Sequence, residues 1–128
     1  MARVLIIDDD GSFRESLAET VSSLGHELFL AADAGRGLSF LKREEVDLVF
    51  LDFRLPDMTG IEVLRAIKRL RRDIPPVIML TAYTSVDNTI EAMKLGAFEH
   101  LAKPVGRQAV ENMLNAALAS SSRAIRQN

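Results

Sequence analysis

The chain has 128 residues with no Cys, no Trp and one Tyr, and its 16 basic and 18 acidic side chains leave a formal charge of −2. That length fits one domain, and 48% hydrophobic against 27% charged residues supplies a core, which excludes a disordered chain. The lack of cysteine excludes a disulfide scaffold and any thiolate site, and the slightly acidic balance argues against nucleic-acid binding by this segment. The longest apolar runs, 4–7 and 48–51, are strand-sized, far below the roughly 20 residues of a membrane helix. No signal-like run opens the chain, so a cytoplasmic location without membrane attachment is expected.

Apolar periodicity then alternates along the chain. Val4-Leu5-Ile6-Ile7 reads as a buried parallel strand that ends in Asp8-Asp9-Asp10. Phe13, Leu17, Val21 and Leu24 follow helical spacing over 12–24, with Ser12 and Glu15 as a capping box at the start and Gly25 as the stop. Residues 27–31 form a weaker strand. Ala34, Leu38 and Leu41 mark a short second helix, whose first turn is weakened by Gly35 and Gly37.

Residues 48–51 are a third strand, ending in Asp52, and 54–60 are loop chemistry with Pro56 and Gly60 as breakers. Ile61, Leu64 and Ile67 begin the third helix. Pro75-Pro76 introduces a fourth strand over 77–80, ending in Thr81; Val86, Ile90 and Met93 mark a fourth helix, closed near Gly96. A fifth strand over 100–102 ends at Lys103-Pro104, and Val110, Met113, Leu114, Ala117 and Leu118 give the last helix. Five β-α units in strict alternation predict an α/β fold, a doubly wound parallel sheet covered on both faces. Residues 1–119 form the domain, and 120–128 read as a linker or tail.

In such folds ligands sit at the carboxyl ends of the strands. Asp8 and Asp9, Asp52, Thr81 and Lys103 stand at those ends, so three carboxylates, a hydroxyl and an ammonium converge on one edge. Clustered carboxylates repel unless a cation sits among them, and oxygen ligands with open water positions suit Mg2+. A carboxylate beside that metal can attack a phosphoryl group and form an acyl phosphate, while the metal and Lys103 spread charge and Thr81 donates a hydrogen bond.

Val4-Leu5-Ile6-Ile7-Asp8-Asp9-Asp10, Leu51-Asp52-Phe53-Arg54-Leu55-Pro56-Asp57-Met58-Thr59-Gly60, Val77-Ile78-Met79-Leu80-Thr81-Ala82 and Lys103-Pro104 resemble the response regulator receiver domain of two-component systems. The resemblance covers about residues 3–119. It implies a CheY-like, flavodoxin-like (βα)5 fold with strand order 2-1-3-4-5 and an Asp52 that accepts phosphoryl from a sensor histidine kinase or phosphotransfer protein. Asp8, Asp9, Asp52 and the backbone carbonyl of Arg54 would hold Mg2+, and Thr81 and Lys103 would contact the phosphoryl group. The Asp triplet, Arg54 and the segment from Gly96 to Pro104 look most like the NtrC-type, sigma-54-dependent regulators, which continue into ATPase and DNA-binding domains.

One position departs from that pattern: the aromatic switch residue three before the lysine is His100. An imidazole changes charge between about pH 5 and 8, which a Tyr or Phe ring does not. By resemblance, Thr81 and His100 form the switch, the fourth helix, fifth strand and fifth helix form its output face, and a phosphorylation-dependent homodimer is expected. The first turn around Ser12, Phe13 and Ser16 would dock the kinase, with Phe13 also readable as core. The resemblance also implies a cis bond before Pro104 that aims Lys103, which a fold can select because X-Pro bonds prefer trans by only about 0.5–1 kcal/mol.

Other features read plainly. Arg65, Lys68, Arg69, Arg71 and Arg72 form a solvated basic end to the third helix. His26 is a surface residue, Met58 packs the loop and Met79 the core. The rival reading is a haloacid-dehalogenase-like Mg2+-dependent phosphatase, which places a second acid two residues after its nucleophile. Here that residue is Arg54, which cannot act as a general acid near neutral pH. A nucleotide switch lacks its phosphate-binding glycine motif, and a phosphate-free interaction module sits poorly with an intact acceptor, metal and lysine set.

Overall fold

The computed structural model describes residues 1–70, 73–82 and 86–120, apart from the side chains of Val86 and Asp87. Among the described residues ten elements alternate: β1 (Arg3–Ile7), α1 (Gly11–Ser23), β2 (Glu27–Ala31), α2 (Ala34–Arg43), β3 (Leu48–Asp52), α3 (Gly60–Leu70), β4 (Val77–Thr81), α4 (Val86–Lys94), β5 (Glu99–Ala102) and α5 (Arg107–Ala119). The strands pair in parallel in the order β2-β1-β3-β4-β5. The expected α/β architecture and order are therefore those found.

Side-chain alternation along the strands decides which face each residue feeds. Leu5, Ile7, Val49, Leu51, Val77 and Met79 pack on one face against Ala34 and Leu41 of α2, Val63 and Ile67 of α3 and Ala92 of α4. Val4, Ile6, Leu48, Phe50, Ile78 and Leu80 pack on the other against Leu17 and Val21 of α1 and Val110 and Leu114 of α5. A sheet buried on both faces explains why β3 and β4 read as unbroken apolar runs.

Several local expectations need correction. Helix α1 starts at Gly11, and its cap is Asp10, whose carboxylate accepts the Phe13 N–H at 3.2 Å; Ser12 lies inside the first turn and Glu15 beyond it, so neither forms the expected capping box. Asp ranks beside Ser as an N-cap, and the run of acids offered one earlier in the chain. Gly37 does not weaken α2. A Cβ there would overlap the side chain of buried Ile7, so glycine allows α2 to lie close on β1. On α4, Ile90 and Met93 are exposed, and among its described side chains the buried one is Ala92, a small contact that brings the helix backbone near the sheet. Arg65 pairs with Glu91 of α4 at 2.6 Å, while Arg71 and Arg72 lie outside the described residues, as does most of the 120–128 tail.

His26 is half-buried, and its Nδ1 accepts the Ala2 N–H at 3.1 Å. Beside it, the Asp47 carboxylate accepts the Arg3 N–H at 2.8 Å, and the Arg3 guanidinium donates to the Glu45 carbonyl at 2.6 Å. Burial lowers the pKa of His26 from its ordinary 6.5, the positive chain terminus lowers it further, and Asp47 opposes both. The folded state thus binds this proton less readily than the unfolded chain does. Its contribution is complete above pH 6.5 and is lost as pH falls through the lowered folded value. The difference in melting temperature between wild type and His26→Gln should shrink below pH 6.5; a difference constant from pH 8 to pH 5 would contradict this.

No helix among the described residues is long and apolar enough to cross a membrane.

Candidate phosphoacceptor site

The carboxyl ends of β1, β3 and β4 and the end of β5 open into a cleft of about 560 Å³. Its lining includes Asp9, Asp52, Arg54, Thr81 and Lys103. Asp8 is fully buried and Asp52 and Thr81 nearly so, whereas Asp9 is exposed. Carboxylate oxygens of Asp8, Asp9 and Asp52 all lie within 4.8 Å of one another.

Each group is fixed by backbone around it. Asp8 Oδ1 accepts the Asp10 N–H at 2.9 Å, and the Asp8 N–H donates to the Ala31 carbonyl at 3.0 Å. The Arg14 guanidinium donates to the Asp8 carbonyl at 2.8 Å, tying the first turn of α1 to the end of β1. Asp52 Oδ1 accepts the Arg54 N–H at 3.2 Å. Thr81 closes β4, where its carbonyl accepts the Lys103 N–H at 2.8 Å. The Lys103–Pro104 bond is cis, as expected.

Lys103 reaches between the acids, with Nζ 2.8 Å from Asp8 Oδ2 and 3.4 Å from Asp52 Oδ2. The same ammonium stands 4.4 Å from the centroid of the Phe13 ring. Phe13 packs against the core, as one of its two readings expects, and its ring also lies beside the site lysine. Burial works against the lysine's charge, but the Asp8 and Asp52 carboxylates outweigh it and hold the ammonium above its ordinary range. Burial also raises the Asp52 carboxyl from 3.8 to about 6, with the negative charge of Asp8 adding to it and the Arg54 N–H and Lys103 pulling back.

An acid so displaced is ionised at neutral pH against the cost of its burial, a cost that a cation beside it would relieve. Three clustered carboxylates with a single ammonium between them make an oxygen-only donor set with one open, exposed side, which suits a hard divalent cation. The donor chemistry therefore fits a metal of the Mg2+ type.

The loop after Asp52 is a closed hairpin. Arg54 and Thr59 form an antiparallel bridge, the Gly60 N–H donates to the Phe53 carbonyl at 2.9 Å, and Thr59 Oγ1 accepts the Glu62 N–H at 3.2 Å. A Cβ on Gly60 would lie 2.5 Å from the Asp52 carbonyl oxygen and 2.8 Å from Phe53 Cα. Those are backbone atoms and cannot swing aside. Gly60→Ala should lose about 1–3 kcal/mol and shift the Asp52 backbone amide resonance. An unchanged amide spectrum at 52–54 would refute the contact.

His100 lies outside the cleft lining, paired in register with Met79 and half-buried on β5. Its N–H donates to Glu99 Oε1 at 3.1 Å, and its Nδ1 lies 3.1 Å from that same oxygen, a pair that bonds only when Nδ1 carries a proton. Sequence reading missed Arg14 and Asp57. The Asp57 carboxylate accepts the Ala34 N–H at 2.9 Å and the Gly35 N–H at 2.8 Å. An acid in a Pro-Asp-Met turn carried no periodic signal that it would reach another helix.

Known proteins resemble this chain in sequence and fold. Residues 4–115 match the model of the response regulator receiver domain family. The chain is 38% identical over 113 residues to the response regulator protein FleR of Pseudomonas aeruginosa, which spans 88% of this chain and 24% of that protein. It is 39% identical over 102 residues to sporulation initiation phosphotransferase F of Bacillus subtilis, covering 80% of this chain and 82% of that one. A receiver domain structure from Methanospirillum hungatei superimposes with a TM-score of 0.89 at 30% identity, covering 100% of this chain and 99% of the other. NtrX from Brucella abortus, solved with ATP, gives 0.88 at 28% identity, covering 98% of this chain and 28% of its own. The chain spans about a quarter of the length of FleR and of the ZraR transcriptional regulator of Klebsiella oxytoca. Nothing in these comparisons favours a haloacid-dehalogenase-like phosphatase. With its acid cluster, strand order and matched residues taken together, the chain belongs to the response regulator receiver domain family of two-component systems, whose members are phosphorylation-activated signalling switches rather than metabolic enzymes.

Proposed function

We propose that Asp52 accepts a phosphoryl group from the phosphohistidine of a sensor histidine kinase or phosphotransfer protein. The observation that carries this is the position of Asp52, buried at a strand end, its carboxyl raised to about 6, with Lys103 and two further acids within reach. An Asp52 carboxylate oxygen attacks phosphorus, the phosphorus–nitrogen bond breaks, and the departing imidazole takes up a proton. Lys103 places positive charge beside the transferred oxygens and Thr81 donates a hydrogen bond to one of them. Asp8, Asp9, Asp52 and the Arg54 carbonyl would hold Mg2+, which supplies neutralisation of the oxygens when bound. Water later attacks the acyl phosphate and regenerates Asp52, so self-catalysed transfer and hydrolysis are the chain's whole chemistry.

Output runs through the face of α4, β5 and α5. Phosphoryl on Asp52 draws Thr81 toward it and frees space for the His100 ring, and a ligand shifts such a two-state equilibrium only through unequal binding to the two states. Exposed Ile90 and Met93 on α4 suit a phosphorylation-dependent homodimer through this face. In the whole protein, residues after 119 would lead into ATPase and DNA-binding domains that regulate transcription. The name of ZraR, a transcriptional regulatory protein, and the ATP in NtrX support that placement.

Acetyl phosphate with and without Mg2+ tests the chemistry, and sedimentation with and without beryllofluoride and Mg2+ tests the output. Mg2+-dependent labelling and a ligand-dependent rise in mass are expected. Labelling that ignores Mg2+ would sink the metal assignment, and an unchanged mass would sink the dimer.

A further inference from the structure

Asp57 sits at the tip of the hairpin that follows the phosphoacceptor, and its carboxylate grips α2 with both oxygens. Oδ1 accepts the Ala34 N–H at 2.9 Å and Oδ2 the Gly35 N–H at 2.8 Å. The third donor of that helix end, the Arg36 N–H, goes to Asp33 Oδ1 at 2.8 Å. Two carboxylates thus share the first-turn amides of α2, and one of them comes from another loop. Helix ends leave such amides unpaired, and a carboxylate complements the helix dipole there. Those bonds hold the Asp57 carboxyl below the usual carboxylate range.

The hairpin is otherwise held at its base. Arg54 bridges Thr59, and Gly60 closes on Phe53, while Leu55 and Met58 rest on the core beneath. Arg54 is at that base, three residues before Asp57. With the tip clamped to α2 and the base bridged to itself, the peptide that carries the Arg54 carbonyl has little freedom left. Without the clamp, binding a cation at that carbonyl would also have to order the hairpin, and ordering backbone opposes binding.

We propose that Asp57 is a positioning residue for the metal site: its two-pronged hold on α2 presets the orientation of the Arg54 carbonyl. This rests on the reading of that carbonyl as a metal ligand. Asp57 touches neither metal nor phosphoryl and acts through the hairpin alone. A residue that only capped α2 would change stability and leave metal affinity as it was.

The experiment is calorimetric titration of Mg2+ into the 128-residue chain, for wild type, Asp57→Ala and Asp57→Asn, with melting temperatures measured in the metal-free proteins. Asp57→Ala should raise the Mg2+ dissociation constant by about tenfold, the lower end of what losing an outer partner of a metal ligand does. Asp57→Asn keeps one accepting oxygen and turns an amide toward the second donor, so it should fall between the two. Labelling by acetyl phosphate should be slower in Asp57→Ala at low Mg2+ and recover toward wild type at saturating Mg2+. Mg2+ affinity equal to wild type in both variants, with only the melting temperature lowered, overturns the inference. If wild type itself binds no Mg2+, the proposed function falls and this inference falls with it.

Discussion

Asp52→Asn is expected to abolish labelling by acetyl phosphate, because an amide nitrogen and carbonyl cannot form the acyl phosphate. The same variant should be more stable than wild type when metal-free at neutral pH. Asp52 takes its proton near 6 in the folded protein and near 3.8 when unfolded, so the folded state binds the proton more tightly. Its ionised form therefore opposes folding above pH 6 by about 1–3 kcal/mol. The stabilisation by Asn should shrink as pH falls from about 6 toward 3.8, where wild type neutralises the group itself. Thermal denaturation across that range, beside a labelling assay, measures both halves. Labelling of Asp52→Asn at the wild-type level would move the acceptor elsewhere, and equal stability at pH 7 would remove the electrostatic argument.

Asp9→Ala is expected to have the second largest effect. Asp9 is the exposed member of the acid cluster, whereas Asp8 is buried against Lys103. Removing Asp9 takes away a proposed metal oxygen without leaving a buried ammonium unpaired, so the fold should lose no more than about 0.5 kcal/mol. The bound cation is worth several kcal/mol of charge stabilisation, and phosphotransfer should slow by about a hundredfold or more at fixed Mg2+. Labelling within threefold of wild type at roughly millimolar Mg2+ would exclude Asp9 from the metal site.

The fold was legible because β1, β3 and β4 are short and largely apolar, and each is closed or followed by a residue with a distinct chemistry. Residues 48–52 and 77–81 show it most clearly: five buried positions each, with a polar terminus at the cleft. The positions of Asp52, Thr81 and Lys103 followed from topology, since strand ends of a parallel sheet share one edge. What stayed hidden depends on distance in space. Nothing local tells that Asp57 will meet the amides of residues 34 and 35, or that Phe13 will lie under Lys103. Helix rotation is hidden too. The apolar stripe through Ile90 and Met93 predicts a buried face, yet α4 turns Ala92 inward and leaves both at the surface.

The contacts among Ala2, Arg3, His26 and Asp47 occupy the end of the sheet opposite the acids. One strand of five residues separates the two ends, about 16 Å at the usual rise. That exceeds the screening length of roughly 8 Å in physiological salt. The protein therefore carries two ionic systems, one at each end of the sheet, that couple only weakly. Acidification neutralises Asp52 and relieves the strain of its burial, while at the far end it charges His26 and weakens the hold on the first strand. Opposite slopes of stability with pH tend to cancel, so wild type will show a flatter acid profile than either end alone. That flatness is a balance between remote sites, and a His26→Gln, Asp52→Asn double variant should show the two contributions as a simple sum.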